Sequence, residues 1–157
     1  MMKIRRAERK DIPAAMDLLS QVLAVHAEIR PDLFIPGSRK YTEAELEEIF
    51  RREDSPVFVA EAEDGRVIGY CFCQVTEESH SHALRPAKTL YIDDLCVDAA
   101  CRGQHAGRAL CEHVLSYARQ IGCTEVTLNV WEGNDSALAF YRRMGFAVRK
   151  TTMERML

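Results

Sequence analysis

One stretch of this chain leaves few folds open. Residues 89–97 (Thr-Leu-Tyr-Ile-Asp-Asp-Leu-Cys-Val) and 124–130 read as strands from their β-branched and aliphatic content. Between them, residues 106–121 carry Ala106, Leu110, Val114 and Ala118 at four-residue steps, with Cys111 and Leu115 beside them. That spacing predicts a helix with one apolar face, and Gly122 ends it. A strand, one helix and a strand in direct succession close as a right-handed parallel crossover. The preceding part of the sheet is antiparallel, because 57–63 and 66–76 are strand-like runs joined by Asp64-Gly65, a two-residue hairpin signal.

Further elements follow from local signals. Residues 3–7 alternate and predict an opening strand. Asp11 stands as an N-cap, with Pro13 in the first turn and Ile12, Ala15, Met16, Leu19, Val22 and Leu23 at helical spacing, so a first helix runs to about Ile29. A loop with Pro31, Pro36 and Gly37 follows, and Thr42 with Glu45 forms a capping box for a second, charged helix to about Glu53. Residues 136–144 predict a helix ending at Gly145, and 146–156 a last strand. The expectation is one α/β domain over residues 1–157: a mixed, mostly antiparallel sheet with one parallel β-α-β crossover and helices on both faces.

Composition narrows the function classes. A chain of 157 residues can bury about 68–70% of its unfolded surface around one core. Its net charge is −3 with no sustained basic run, which argues against nucleic acid or an anionic membrane as partner. No run of 18 apolar residues occurs and the first residues lack the apolar core of a secretory signal, so a cytoplasmic protein is expected. In that compartment the six cysteines, Cys71, Cys73, Cys96, Cys101, Cys111 and Cys123, are expected to be reduced. No C-x-x-C pair occurs, and His80 and His82 lie in a polar loop, so no metal is expected.

The turn Arg102-Gly103-Gln104-His105-Ala106-Gly107-Arg108, between a strand and the long helix, has the composition of an anion site. Its glycines permit a tight turn that leaves N–H groups uncovered, and the helix adds unpaired donors and the positive end of its dipole. Arg102 and Arg108 add charge for a phosphate. Two glycines before a helix also occur with no ligand, so both readings stand on the turn alone. A dinucleotide fold is disfavoured because G-x-G-x-x-G is not met and a hairpin and two helices precede the turn.

A second cluster, 129–146, holds the helix N-cap residues Asn134, Asp135 and Ser136, then Ala137, Phe140, Tyr141 and Arg143. The two clusters together resemble the GNAT superfamily of acetyl-CoA-dependent N-acetyltransferases. Leu95-Cys96-Val97 matches the strand that contacts the pantetheine arm and thioester. Arg102, Gly103 and Gly107 match the pyrophosphate loop, with His105 where a glycine is usual. Asn134, Ala137, Phe140, Tyr141, Gly145 and Phe146 match the later signature in full.

The resemblance implies a GNAT-like fold and transfer of acetyl from acetyl-CoA to a primary amine of a small molecule, protein or peptide, in a possible homodimer. The coenzyme would lie along Leu95, Cys96, Val97, Arg102–Arg108 including Gln104 and Ala106, Asn134, Ser136, Ala137, Tyr141 and Arg143. Tyr141 is then the acid that protonates the leaving thiolate, and Asp93 the favoured base, with Asp94 or a water chain open as substitutes. Successive strand residues point to opposite faces, so one of the two acids would see the acceptor. Acceptor walls are expected from 30–41 (Arg30, Asp32, Phe34, Arg39, Tyr41) and 77–86 (Glu77, Glu78, His80, His82). Two rivals stay open: acetyl carried on Cys96, and a non-catalytic acyl-CoA-binding regulatory module.

Overall fold

The computed structural model describes residues 1–77 and 81–157. Five strands form one sheet in the order β1-β2-β3-β4-β5: Lys3–Arg6, Val57–Glu61, Val67–Thr76, Thr89–Val97 and Glu125–Leu128. Each of the first four is antiparallel to its neighbour, and β4 and β5 run parallel, joined through helix α3 (Ala106–Gln120). The β2–β3 hairpin turns at Asp64-Gly65 as expected, with Gly65 at φ +84°.

The two faces of the sheet bury separate cores. Helix α3 covers one face, packing Leu110, Val114 and Ala118 onto Phe58, Ile68, Cys71, Cys73, Leu90 and Ile92. Helices α1 (Ile12–Ile29) and α2 (Glu43–Arg51) cover the other, with Leu18, Leu19 and Leu46 against Val57, Val59, Tyr70 and Phe72. Each such aliphatic side chain contributes about 1.5–3 kcal/mol on full burial. Helix α4 (Asp135–Arg143) holds no fully buried residue and flanks the C-terminal end of the crossover.

Three expectations need correction. Asp11 stands at the start of α1 but its side chain does not cap it. Its carboxylate accepts from Arg5 at 2.8 and 2.9 Å and from the N–H of Glu8 at 2.8 Å. Burial alone would raise its pKa, and these bonds hold it below the ordinary carboxylate value. Residues 146–156, read as a last strand, enter no ladder, and all beyond Phe146 are exposed. The third correction, at Asp93 and Asp94, belongs to the site.

Candidate active site

Beyond Val97 a 3-10 turn over Ala99–Cys101 leads into the chain reversal at Arg102–His105. Two residues there adopt left-handed backbone: Gly103 at φ +86° and His105 at φ 64°. Glycine does so freely, whereas a histidine costs on the order of 1 kcal/mol. His105 is also the N-cap of α3 and makes no side-chain capping bond, so the first N–H groups of that helix stay open to a ligand.

A groove of about 820 Å³ lies against this turn. Val97, Ala106 and Gly107 line it with Arg102, Gly103, His105, Arg108 and Arg143, so eight residues expected from sequence meet in one place. A methyl group on Gly107 would lie 3.6 Å from Phe140 Cζ and from Val97 Cγ2, which marks where β4, α3 and α4 converge. Gln104 is exposed and does not line the groove. Leu115, Arg119, Phe140 and Met144 line it as well. Arg108, Leu115 and Arg119 fall at i, i+7 and i+11 on α3, one stripe of the helix, a signal that was present in the sequence. Of the four guanidinium groups, Arg108 is engaged by Glu112 at 2.8 Å.

At the α4 entrance Asn134 accepts from the N–H of Ala137 at 3.4 Å and from Ser136 Oγ at 3.4 Å. These residues build the helix start. Tyr141 follows two turns on, its ring 5.1 Å from Phe140 and 5.6 Å from Phe146. Burial, with Cys71, Cys111 and Asp94 nearby, raises its phenol above the ordinary value and keeps it protonated.

Strand β4 breaks its alternation at the two acids. Its pairing with β3 runs from Gly69↔Val97 to Phe72↔Asp94 and resumes at Cys73↔Ile92, so Asp93 is the extra residue of a β-bulge. Leu90, Ile92, Leu95 and Val97 therefore share the α3 side, while Cys96 packs on the α1 side and Asp94 meets Tyr70 there. Tyr70 Oη donates to Asp94 at 2.8 Å, and Lys40 Nζ donates to Asp93 at 3.1 Å while lying 5.5 Å from the Tyr41 ring centre.

Burial raises the Asp94 carboxyl to about 6, against the opposing pull of Lys40 and the Tyr70 bond. Burial would lower Lys40, but Asp94 and Asp93 overcome it and raise the ammonium's pKa. Both acids thus act on one amine, contrary to the alternation rule, because the bulge removes that alternation. Lys40, Tyr70 and the bulge were not read from sequence: the contacts span 53 and 24 residues and carry no local signal.

The outer wall joins two loops. Trp131 stands edge-on to Phe34 at 5.3 Å, Phe34 meets His26 at 5.1 Å, and a methyl on Gly133 would come within 3.1 Å of Ile29 Cγ2. Arg30 binds Asp32 at 2.6 and 2.9 Å and also pairs with Glu154. Its charge is spent within the wall. Glu77 pairs with Lys88 at 3.3 Å, and His82 is exposed. Glu78 and His80 lie outside the described residues.

Cys96 is buried with its thiol 3.6 Å from the carbonyl of Leu18, and burial with Asp94 nearby pushes it up to about 12. Such a thiol is protonated near neutrality and is a poor nucleophile. All six cysteines are free.

Comparison with known proteins fits this arrangement. A sequence profile described as "Acetyltransferase (GNAT) family" matches residues 22–146. The chain belongs to that family. Among curated relatives, streptothricin acetyltransferase of Streptomyces lavendulae is 36% identical over 94 residues, covering 60% of this chain and 46% of the relative. Peptidyl-lysine N-acetyltransferase YjaB of Escherichia coli is 34% identical over 106 residues, 66% of this chain and 59% of the relative. The chain thus spans about half the length of these relatives. A mutant of the BH1408 protein of Bacillus halodurans superposes with a TM-score of 0.94 at 30% identity, covering 99% of both chains. The GNAT fold expected from two short sequence clusters therefore extends over nearly the whole chain.

Proposed function

We propose that this chain is a single N-acetyltransferase domain that moves acetyl from acetyl-CoA to a primary amine by direct attack in a ternary complex. One observation carries the reading: Val97 and the turn residues Arg102, Gly103, His105, Ala106 and Gly107 line a single groove at the start of α3, next to the strand whose bulge carries Asp93 and Asp94. The start of α3 and the arginines hold the diphosphate, and the thioester lies along β4.

An amine enters as its ammonium and must lose a proton. For a lysine-like amine near pKa 10.4 this costs roughly 4.6 kcal/mol at pH 7, against about 1.4 kcal/mol for an α-amine near 8. Beside Asp93, the base favoured from sequence, Asp94 is the substitute that the bulge brings alongside it: raised to about 6, it is ionised at neutral pH and closer in basicity to the task than an ordinary carboxylate. The neutral nitrogen attacks the carbonyl carbon, a main-chain N–H on β4 steadies the oxyanion, and Tyr141 gives a proton to the departing thiolate. A phenol is the weaker acid by at least about 1.5 pKa units, so that transfer depends on positioning.

The carboxylate pair favours a cationic amine over an anionic acceptor. Relatives named for peptidyl-lysine and for streptothricin fit that preference. The raised Cys96 thiol speaks against an acetyl-cysteine route, and the complete constellation against a silent binding module. The protein acts in the cytoplasm in this reading, without metal. Calorimetry with acetyl-CoA and an amine panel scored by thiol release test it together. Binding with release on at least one cationic amine is expected. Binding with no release on any amine supports the module, and no binding at millimolar acetyl-CoA removes the assignment.

A further inference from the structure

We propose that Lys40 is an acetylation site of this protein, modified in cis from acetyl-CoA held in its own groove. The inference rests on the acetyltransferase reading above and names an acceptor within the chain itself. Lys40 sits on the loop between α1 and α2, its ammonium on Asp93 at 3.1 Å and 5.5 Å from the centre of the Tyr41 ring. Asp94, fixed by Tyr70 at 2.8 Å, is the next residue of β4. A primary amine therefore already occupies the place at which an acceptor must arrive. Its side chain is 42% exposed, so it is not sealed into the core and can shift toward the thioester.

Four other lysines provide the contrast. Lys10 pairs with Glu8 and Lys88 with Glu77, each at 3.3 Å; Lys3 and Lys150 are exposed on β1 and in the C-terminal segment. Among the described residues Lys40 is the one lysine placed at the bulge of β4.

The Lys40 ammonium releases one proton to Asp93, the carboxylate it contacts, and on to water, and its nitrogen attacks the thioester carbonyl. The C–N bond forms and the C–S bond breaks. The thiolate takes a proton from Tyr141, which recovers one from the amine nitrogen through solvent. Acetyl-CoA and a lysine ammonium become Nε-acetyl-lysine, coenzyme A thiol and one proton. The product amide is neutral, so Asp93 loses its cation and the acceptor site becomes more negative toward an incoming amine.

Incubating the purified full chain with acetyl-CoA and no amine, followed by intact mass and peptide mapping, tests this. A gain of about 42 Da on Lys40 is expected. It should resist hydroxylamine, as an amide does and a Cys96 thioester does not. It should also appear ahead of Lys3, Lys10, Lys88 and Lys150, and ahead of the Met1 α-amine. Lys40→Arg should abolish it, the urea-unfolded chain should lose the selectivity, and the first-order rate should not change with protein concentration. Modification led by Met1, or Lys40 reacting no faster than the other lysines, in a preparation that turns over an amine from the panel overturns the Lys40 site alone. A rate proportional to protein concentration overturns transfer in cis. Loss of acetyl-CoA binding and of all turnover instead removes the acetyltransferase reading beneath it.

Discussion

At the scale of single residues the two groups proposed to carry protons differ in what their surroundings do to them. Burial holds the proton on Tyr141, which suits a donor, so Tyr141→Phe should lower kcat by about 10²–10⁴ while leaving acetyl-CoA affinity nearly intact. An unchanged turnover number would remove the phenol from the mechanism. Asp94 is raised to about 6, and if it receives the amine's proton the rate climbs through that pH and flattens above it. Asp94→Asn should flatten that acid limb, whereas a limb persisting at the same pH assigns it to another group. The same variant reports on stability. A carboxyl whose folded pKa lies above its unfolded value near 3.9 binds its proton more tightly in the fold. Its favourable contribution is complete below about pH 4 and is lost as pH rises through about 6. Relative to wild type, Asp94→Asn should therefore gain stability between pH 4 and pH 7 in urea melts, and a difference independent of pH would contradict the raised value.

Among elements, β4 is where local and long-range information part. The turn before α3 was legible because its signals are local: Gly103, Gly107 and the arginines occupy a few residues beside a helix start, and the apolar stripe of α3 fixes that helix. The acceptor side was legible only as two loops and a pair of acids. The bulge at Asp93 arises from how β4 registers against β3, and no residue in 89–97 announces it. Gly69 explains part of this geometry. A methyl there would stand 2.9 Å from the carbonyl oxygen of Cys96 and 3.1 Å from Leu110 Cδ1, so β3, β4 and α3 approach more closely than any side chain allows. Gly69→Ala should push β4 outward just beyond the acids, costing about 1–3 kcal/mol as overpacking does. Because Leu95–Val97 move with it, acetyl-CoA affinity should fall together with the urea midpoint. Loss of stability with coenzyme affinity untouched would mean that the strand absorbs the methyl without shifting the groove.

For the whole molecule the open question is the exposed end of the chain. Strand β5 has a single neighbour, β4, and pairs with no further strand among the described residues. Residues 147–157 carry a strand-like pattern, yet Val148 is 65% exposed, Met153 90% and Met156 67%. Two ion pairs, Arg149 with Glu125 and Arg30 with Glu154, lay this segment alongside β5 and the acceptor wall. A bare edge and an unpaired strand-like segment on one molecule are complementary features, and a two-fold arrangement in which each copy covers the β5 edge of the other satisfies both. On that account sedimentation should find a dimer, and deleting residues 148–157 should yield a folded monomer. Its acceptor KM should rise, because Arg30 loses Glu154, while its acetyl-CoA affinity stays within a few-fold. A full-length chain that sediments as a monomer at tens of micromolar would leave the segment as a wall of the acceptor site alone, and the deletion should then raise the acceptor KM without changing the mass.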